Sequence, residues 1–122
     1  MIAGYMDFYS DQGAFLVKLL HSTPVPDFVK TSQYETEESV NGLPASAFAN
    51  QAERTFPIHT PVDVYMSAAY LHGKQAAFQP EIADGILKAA HVFGIEKDVQ
   101  EVITKATEYR ARQSKTAAPV GQ

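Results

Sequence analysis

The sequence predicts an all-α domain, and three observations carry that prediction. Apolar residues recur at helical spacing in three stretches of the second half. Two of those stretches begin at a proline and end at a glycine, as helices do. A fourth helical stretch stands near the N-terminus, separated from the others by a proline-bearing connector. The expected architecture is a compact three-helix C-terminal unit plus one N-terminal helix and an extended connector.

Met1 to Tyr9 is aromatic and reads as irregular, with Tyr5, Phe8 and Tyr9. Ser10 is placed to cap a helix from about Asp11 to His21, with Asp11 at the positive end of the dipole and His21 at the negative end. Gly13 weakens it by ~1 kcal/mol relative to alanine. Phe15, Leu16, Leu19 and Leu20 share one face and Val17 widens it. That is more apolar surface than a lone surface helix needs, so it serves either the core or a partner.

Thr23 to Asn41 reads as an extended connector, because Pro24 and Pro26 flank Val25. Phe28 and Val29 are placed to pin it to a surface. Tyr34 to Ser39 is acidic and reads as a solvated loop or a short helical turn. Asn41-Gly42 is a turn signal. Pro44 opens one helical turn through Phe48. Pro57 forces Phe56 out of helical geometry, so Phe56-Pro57-Ile58 is extended over a hydrophobic floor.

Thr60-Pro61-Val62-Asp63 then sets a helix start, with threonine at the N-cap, proline next and an acid at the third position. That helix runs to about His72, and Gly73 is placed to close it in a left-handed conformation. Pro80 opens the next, whose face is Ile82, Ile86, Ala89, Ala90 and Phe93, and Gly94 ends it. The last runs from about Glu96 to Arg112 with the stripe Val99, Val102, Ile103, Ala106 and Tyr109, and Ile95 plugs the turn before it. Small residues (Ser67, Ala68, Ala69; Gly85, Ala89, Ala90) mark the crossings. The chain divides into an arm (1–42), a helical domain (43–112) and a polar tail (113–122) expected to be mobile.

Composition bounds the function. A chain of 122 residues, 45% apolar and 20% charged, has the size and balance of one globular domain. It buries roughly two-thirds of its unfolded surface. There is no tryptophan, so 7 phenylalanines and 6 tyrosines supply the bulk. The net charge of −4 disfavours a nucleic-acid binder, which needs cations against phosphates. The absence of cysteine excludes disulfides, thiolate metal sites and thiol catalysis. No apolar run approaches the ~20 residues of a membrane span, and the start lacks the pattern of a signal peptide. Both point to the cytosolic side and to no membrane partner.

Constellations for chemistry are thin. His21, His59, His72 and His91 show no i,i+4 pair and no zinc-protease pattern, and each reads as structural. Asp63 is explained by capping, and Asp84–Lys88 and Glu101–Lys105 as solvated i,i+4 pairs. There is no nucleophile elbow around any serine and no glycine-rich phosphate loop. No catalytic residue, metal ligand or cofactor is therefore assigned. Arg54, between Phe48 and Phe56, reads either as a structural salt bridge to Asp63 or Glu53 or as a partner contact. Exposed tyrosine, phenylalanine and arginine anchor interfaces, which makes Phe8, Tyr9, Phe15, Phe28, Arg54 and Phe56 the candidate partner-binding residues.

Leu43-Pro44-Ala45-Ser46-Ala47-Phe48-Ala49, then Arg54-Thr55-Phe56-Pro57-Ile58, then Ser67-Ala68-Ala69-Tyr70 and Ile86 through Ala90 to Phe93-Gly94-Ile95 together resemble a small domain of tailed-bacteriophage proteins. The resemblance spans roughly residues 43 to 106. In that family the domain has no assigned chemistry, stands alone or is appended to head-morphogenesis proteins, prohead proteases included, and often carries an acid where this chain has Ala45. The resemblance implies a bacteriophage virion, capsid-associated or head-assembly protein that is not an enzyme. It would act by contact with other phage virion or head proteins, in the virion or the host cytoplasm. The surplus apolar face of the first helix adds the expectation of a homo-oligomer. Two other readings are kept. One is a small DNA-binding regulator of helix-turn-helix type, using Lys97, Lys105, Arg110, Arg112 and Lys115, although acids crowd the start of its candidate reading helix. The other is a metal-dependent enzyme using His59, His72 or His91.

Overall fold

The computed structural model describes residues 3–21, 25–30, 37–73 and 79–117. Among these the chain forms six α-helices: α1 (Ala3–His21), α2 (Asp27–Lys30), α3 (Glu37–Val40), α4 (Pro61–Gly73), α5 (Pro80–Phe93) and α6 (Glu96–Ala117). A single 3₁₀ turn, Ala45–Ala47, leads into an antiparallel hairpin of β1 (Phe48–Asn50) and β2 (Thr55–Pro57). The fold is mainly helical, as the periodicity predicts.

Helix α4 is the centre. A helix apolar on all sides belongs inside a protein, and Val64, Tyr65, Met66, Ala68, Ala69, Tyr70 and Leu71 are all buried. It packs most extensively on α6 and next on α5, and also meets β2, α1 and α2. Its start follows the sequence: the Thr60 hydroxyl accepts the Asp63 amide at 3.1 Å, which satisfies one of the donors a helix leaves open at its N-terminus. Ser67, on the same helix, donates to the Pro57 carbonyl at 2.7 Å and so fixes β2 to α4.

The expected stripes of the last two helices form. Ile82, Ile86 and Ala90 are buried from α5, and Val99, Val102 and Ala106 from α6. Ala89, Ile103 and Tyr109 pack at the margin, while Phe93 stays exposed. Gly94, at φ 71, closes α5 in the left-handed conformation. The Ile95 amide reaches back to the Ala90 carbonyl at 3.0 Å, the six-to-one bond of a glycine-terminated helix, and Ile95 is buried as the plug.

Several local expectations are corrected. The first helix begins at Ala3, so Ser10 lies inside it rather than at its cap; no proline interrupts residues 3–10, and burial of Tyr9 rewards continuing the helix. The connector is not extended throughout. Pro26 opens the single turn α2, where the Val29 amide donates to the Pro26 carbonyl at 3.0 Å; α3, by contrast, is the short helical turn that the acidic stretch allowed. Residues 48–57 make a hairpin rather than one isolated extended segment. The last helix continues beyond Arg112 to Ala117; no residue before Pro119 forbids it.

Gly73, finally, does not adopt a positive φ. Its lack of a side chain serves packing: a Cβ there would sit 2.5 Å from Cζ of Phe15 and 3.2 Å from Cβ of Ala106. Gly85 faces Ala49 of β1, where a Cβ would make an ordinary contact at 3.6 Å, so it lies against the hairpin rather than at a helix crossing.

Among the described residues, two apolar cores result. The large one surrounds α4. The small one joins Tyr9, Val40, Ala47 and Phe48, with Leu43 at its edge.

Candidate functional site

Leu43, Phe48 and Arg54 meet above the small core. The turn at Asn41-Gly42 follows α3 directly, so the carbonyls at its C-terminal end lack helical donors. The Leu43 amide donates to the Val40 carbonyl at 3.1 Å, and Arg54 adds to it. The two N–H groups of its Nη2 are shared among the carbonyls of Val40 at 3.1 Å, Asn41 at 3.2 Å and Leu43 at 2.8 Å. A cation at the negative end of a helix and charge-assisted bonds of this kind are both favourable. The guanidinium also lies 4.7 Å from the centroid of the Phe48 ring, within cation–π range. The Tyr9 hydroxyl donates to the Arg54 carbonyl at 2.7 Å. One residue thus ties α1, α3, the following turn and the hairpin together.

The backbone carries strain at the same place. Arg54 has φ 55 and Phe56 has φ 58, left-handed values that side-chain-bearing residues avoid. Within the turn, the Asn50 side chain accepts the Glu53 amide at 3.2 Å. The alternating twist turns the Phe56 ring inward, where it is buried and lies 6.0 Å from the Tyr70 ring centre. A conformation of this sort persists only where surrounding contacts over-determine it.

The predicted partner-binding residues therefore fall mostly inside the fold. Tyr9, Phe15 and Phe56 are buried. Phe15 presents its ring to the edges of Tyr70 and Tyr109, at 5.8 and 5.6 Å between centres. Phe28 is half-buried and meets Tyr65 edge to face, so it does pin the connector. Arg54 is half-buried with its cation spent on backbone carbonyls, and the anticipated acid, Asp63, sits beside His59 instead. Phe8 lies on α1, but its side chain falls outside the described residues. The apolar face of α1 that suggested an oligomer is taken up by this chain's own core at Phe15, Leu16 and Leu19; Val17 remains exposed.

The histidines are dispersed. His59 Nδ1 lies 2.9 Å from the buried carboxylate Oδ2 of Asp63. A carboxylate-oriented imidazole can act as a base or a metal ligand only with further groups beside it. Among the described residues no group of three histidine, aspartate or glutamate side chains is placed to hold a metal. His91 pairs with Glu96 at 2.7 Å on the surface of the α5–α6 turn. His72 is held neutral rather than cationic, because burial and then the neighbouring Arg110 push its pKa below 6.5. The Tyr70 phenol, donating to the Asp11 carboxylate, is pushed well above its ordinary range by burial and then by that acid. Each of these groups has a structural task. His21 lies at the end of α1, its side chain outside the described residues.

Sequence reasoning missed the clamp because its acceptors are backbone carbonyls, which carry no residue signature. The one legible sign was an arginine between Phe48 and Phe56, in a stretch whose other charge is Glu53, downstream of the Asn41-Gly42 turn signal. No protein-family model matches the chain, and no curated protein or solved structure matches it.

Proposed function

We propose that this protein is a bacteriophage virion structural or head-assembly component that works through protein–protein contacts and carries out no reaction. The observation that carries the reading is the convergence of the phage-like motif on one structural unit. Leu43, Phe48 and Arg54 meet at a single point, and Phe56 turns inward two residues on. Residues spent in this way serve a rigid shape, and a rigid shape is what a contact protein presents. The described histidines, Asp63, Ser67 and Tyr70 likewise have structural partners. No helix of the described residues is long and apolar enough to cross a membrane. The surface α6 would offer to DNA carries Glu96 and Asp98 in its first turn, which disfavours the helix-turn-helix alternative.

Cross-linking in phage-infected cells, read by mass spectrometry, tests the reading. It predicts cross-links from exposed lysines such as Lys88 and Lys97 to head or virion proteins. Cross-links confined to host proteins, or salt-dependent retention of the pure protein on DNA, would overturn it.

A further inference from the structure

The turn that follows α3, Asn41-Gly42, has no part in the contact role proposed above. Both residues are exposed. The chain holds two asparagines, Asn41 and Asn50, and they are held differently. The Asn50 side chain accepts the Glu53 amide at 3.2 Å. The Asn41 side chain and the Gly42 amide make no hydrogen bond among the described residues.

Gly42 supplies an independent observation. A glycine in a turn is normally explained by a left-handed φ or by a close approach. Gly42 has neither: its φ is not left-handed, and a Cβ built there would meet nothing within 4 Å. The fold would accept alanine at this place. What glycine does here is leave its amide nitrogen unshielded beside the Asn41 side chain, where nitrogen and Cγ can close a five-membered ring. Arg54 adds a third feature. Its Nη2 lies 3.2 Å from the Asn41 main-chain oxygen, which belongs to the same peptide unit as the Gly42 nitrogen. A cation there stabilises the negative charge that spreads onto this oxygen when the nitrogen gives up its proton.

We infer that Asn41-Gly42 is a site of spontaneous covalent modification, at which Asn41 becomes aspartate and isoaspartate with water as the co-reactant. The Gly42 nitrogen, its proton taken by hydroxide, attacks Cγ of Asn41. The N–Cγ bond forms, the Cγ–Nδ2 bond breaks, and ammonia leaves with a proton returned by water. The succinimide then adds water at either of its carbonyls. Opening at Cγ gives aspartate. Opening at the main-chain carbonyl gives isoaspartate, with the chain rerouted through Cβ and Cγ. Water replaces ammonia overall, and nothing is oxidised or reduced. The Arg54 guanidinium polarises the main-chain carbonyl and so directs opening there, and the new carboxylate is built on the oxygen that Arg54 already holds. The product carries an added anion at the end of α3 and a main chain longer by a methylene between Val40 and Leu43. This inference goes beyond the contact role and does not rest on it.

The test incubates the full chain in warm buffer at neutral and at mildly alkaline pH and follows its peptides by mass spectrometry, with a synthetic peptide of residues 37–46 alongside. The expected result is progressive loss of the Asn41 amide, faster at the higher pH, with aspartate and isoaspartate forms both appearing and Asn50 intact. Gly42→Ala slows the loss at least several-fold, while thermal unfolding shows the variant no less stable than the native chain. Arg54→Gln, checked as folded in the same way, lowers the share of isoaspartate. Asn41 intact in the folded chain after the peptide has converted completely would overturn the inference, as would equal loss at Asn50 or an unchanged rate in Gly42→Ala. An unchanged share of isoaspartate in Arg54→Gln would remove Arg54 from the reaction.

Discussion

The hydroxyl of Tyr9 donates to the main-chain carbonyl of Arg54 at 2.7 Å, across 45 positions of sequence. That bond joins the first helix to the hairpin at the residue whose side chain caps α3. Tyr9→Phe removes it and leaves a part-buried carbonyl unpaired, for a loss of about 1 kcal/mol in unfolding free energy. Arg54→Ala removes three charge-assisted bonds and the contact with Phe48, for about 2–3 kcal/mol. The two residues share one network, so the double variant loses measurably less than the sum. Urea unfolding of the four proteins measures this coupling; strict additivity would show the bond to be incidental.

The φ of 55 at Arg54 gives a second, sharper expectation. Alanine and glycine both abolish the clamp, but only alanine retains the steric cost of the left-handed region. Arg54→Gly is therefore more stable than Arg54→Ala by about 1 kcal/mol, the reverse of their order in a helix. Urea midpoints measured side by side decide it, and alanine equal to or above glycine would refute the strained turn.

At Gly73 two effects oppose each other. Alanine within a helix gains ~1 kcal/mol over glycine, yet its Cβ would lie 2.5 Å from the tip of Phe15. That ring is held between Tyr70 and Tyr109 and has little room to yield, and overpacking costs ~1–3 kcal/mol. Gly73→Ala is expected to lower the melting temperature. Adding Phe15→Leu, which shortens the offending ring, is expected to recover part of the penalty introduced by alanine. A melting temperature raised by Gly73→Ala alone would show that the contact gives way.

His72 gives the chain a pH dependence of defined sign. Its folded-state pKa lies below 6.5, through burial and then Arg110, so the unfolded chain takes up the proton first as pH falls. The stability due to its neutral form is complete above 6.5 and is lost as pH drops through the folded-state value. The difference in stability between the native chain and His72→Gln is therefore expected to shift towards the variant on going from neutral to mildly acidic solution. A difference independent of pH would remove His72 from the account.

Much of this fold is legible in the sequence because its signals are local. Thr60-Pro61-Val62-Asp63 and Phe93-Gly94-Ile95 encode helix ends through single side chains, and the 3.6-residue stripes of α5 and α6 bury as written. What stays hidden depends on distant partners. The helical start of α1 is tied to Tyr9 packing on residues some 30–50 positions away. The one-turn helix α2 is too short for periodicity to register. The hairpin pairs Phe48 with Pro57 through a turn with no Asn-Gly or Asp-Gly signature, using an arginine in a conformation that glycine normally fills. The site suffered most, since aromatic residues read as interface anchors are also the best core residues. Tyr9, Phe15 and Phe56 belong to the second class here.

The central claim is a contact role in a phage particle, and the most direct measurement is copy number. Purified mature particles and gradient-separated immature heads would be digested and the chain quantified against the major capsid protein. The account predicts multiple copies per particle at a fixed ratio in one or both fractions, mature particles marking a virion component and immature heads alone an assembly factor. Absence from both fractions would contradict it.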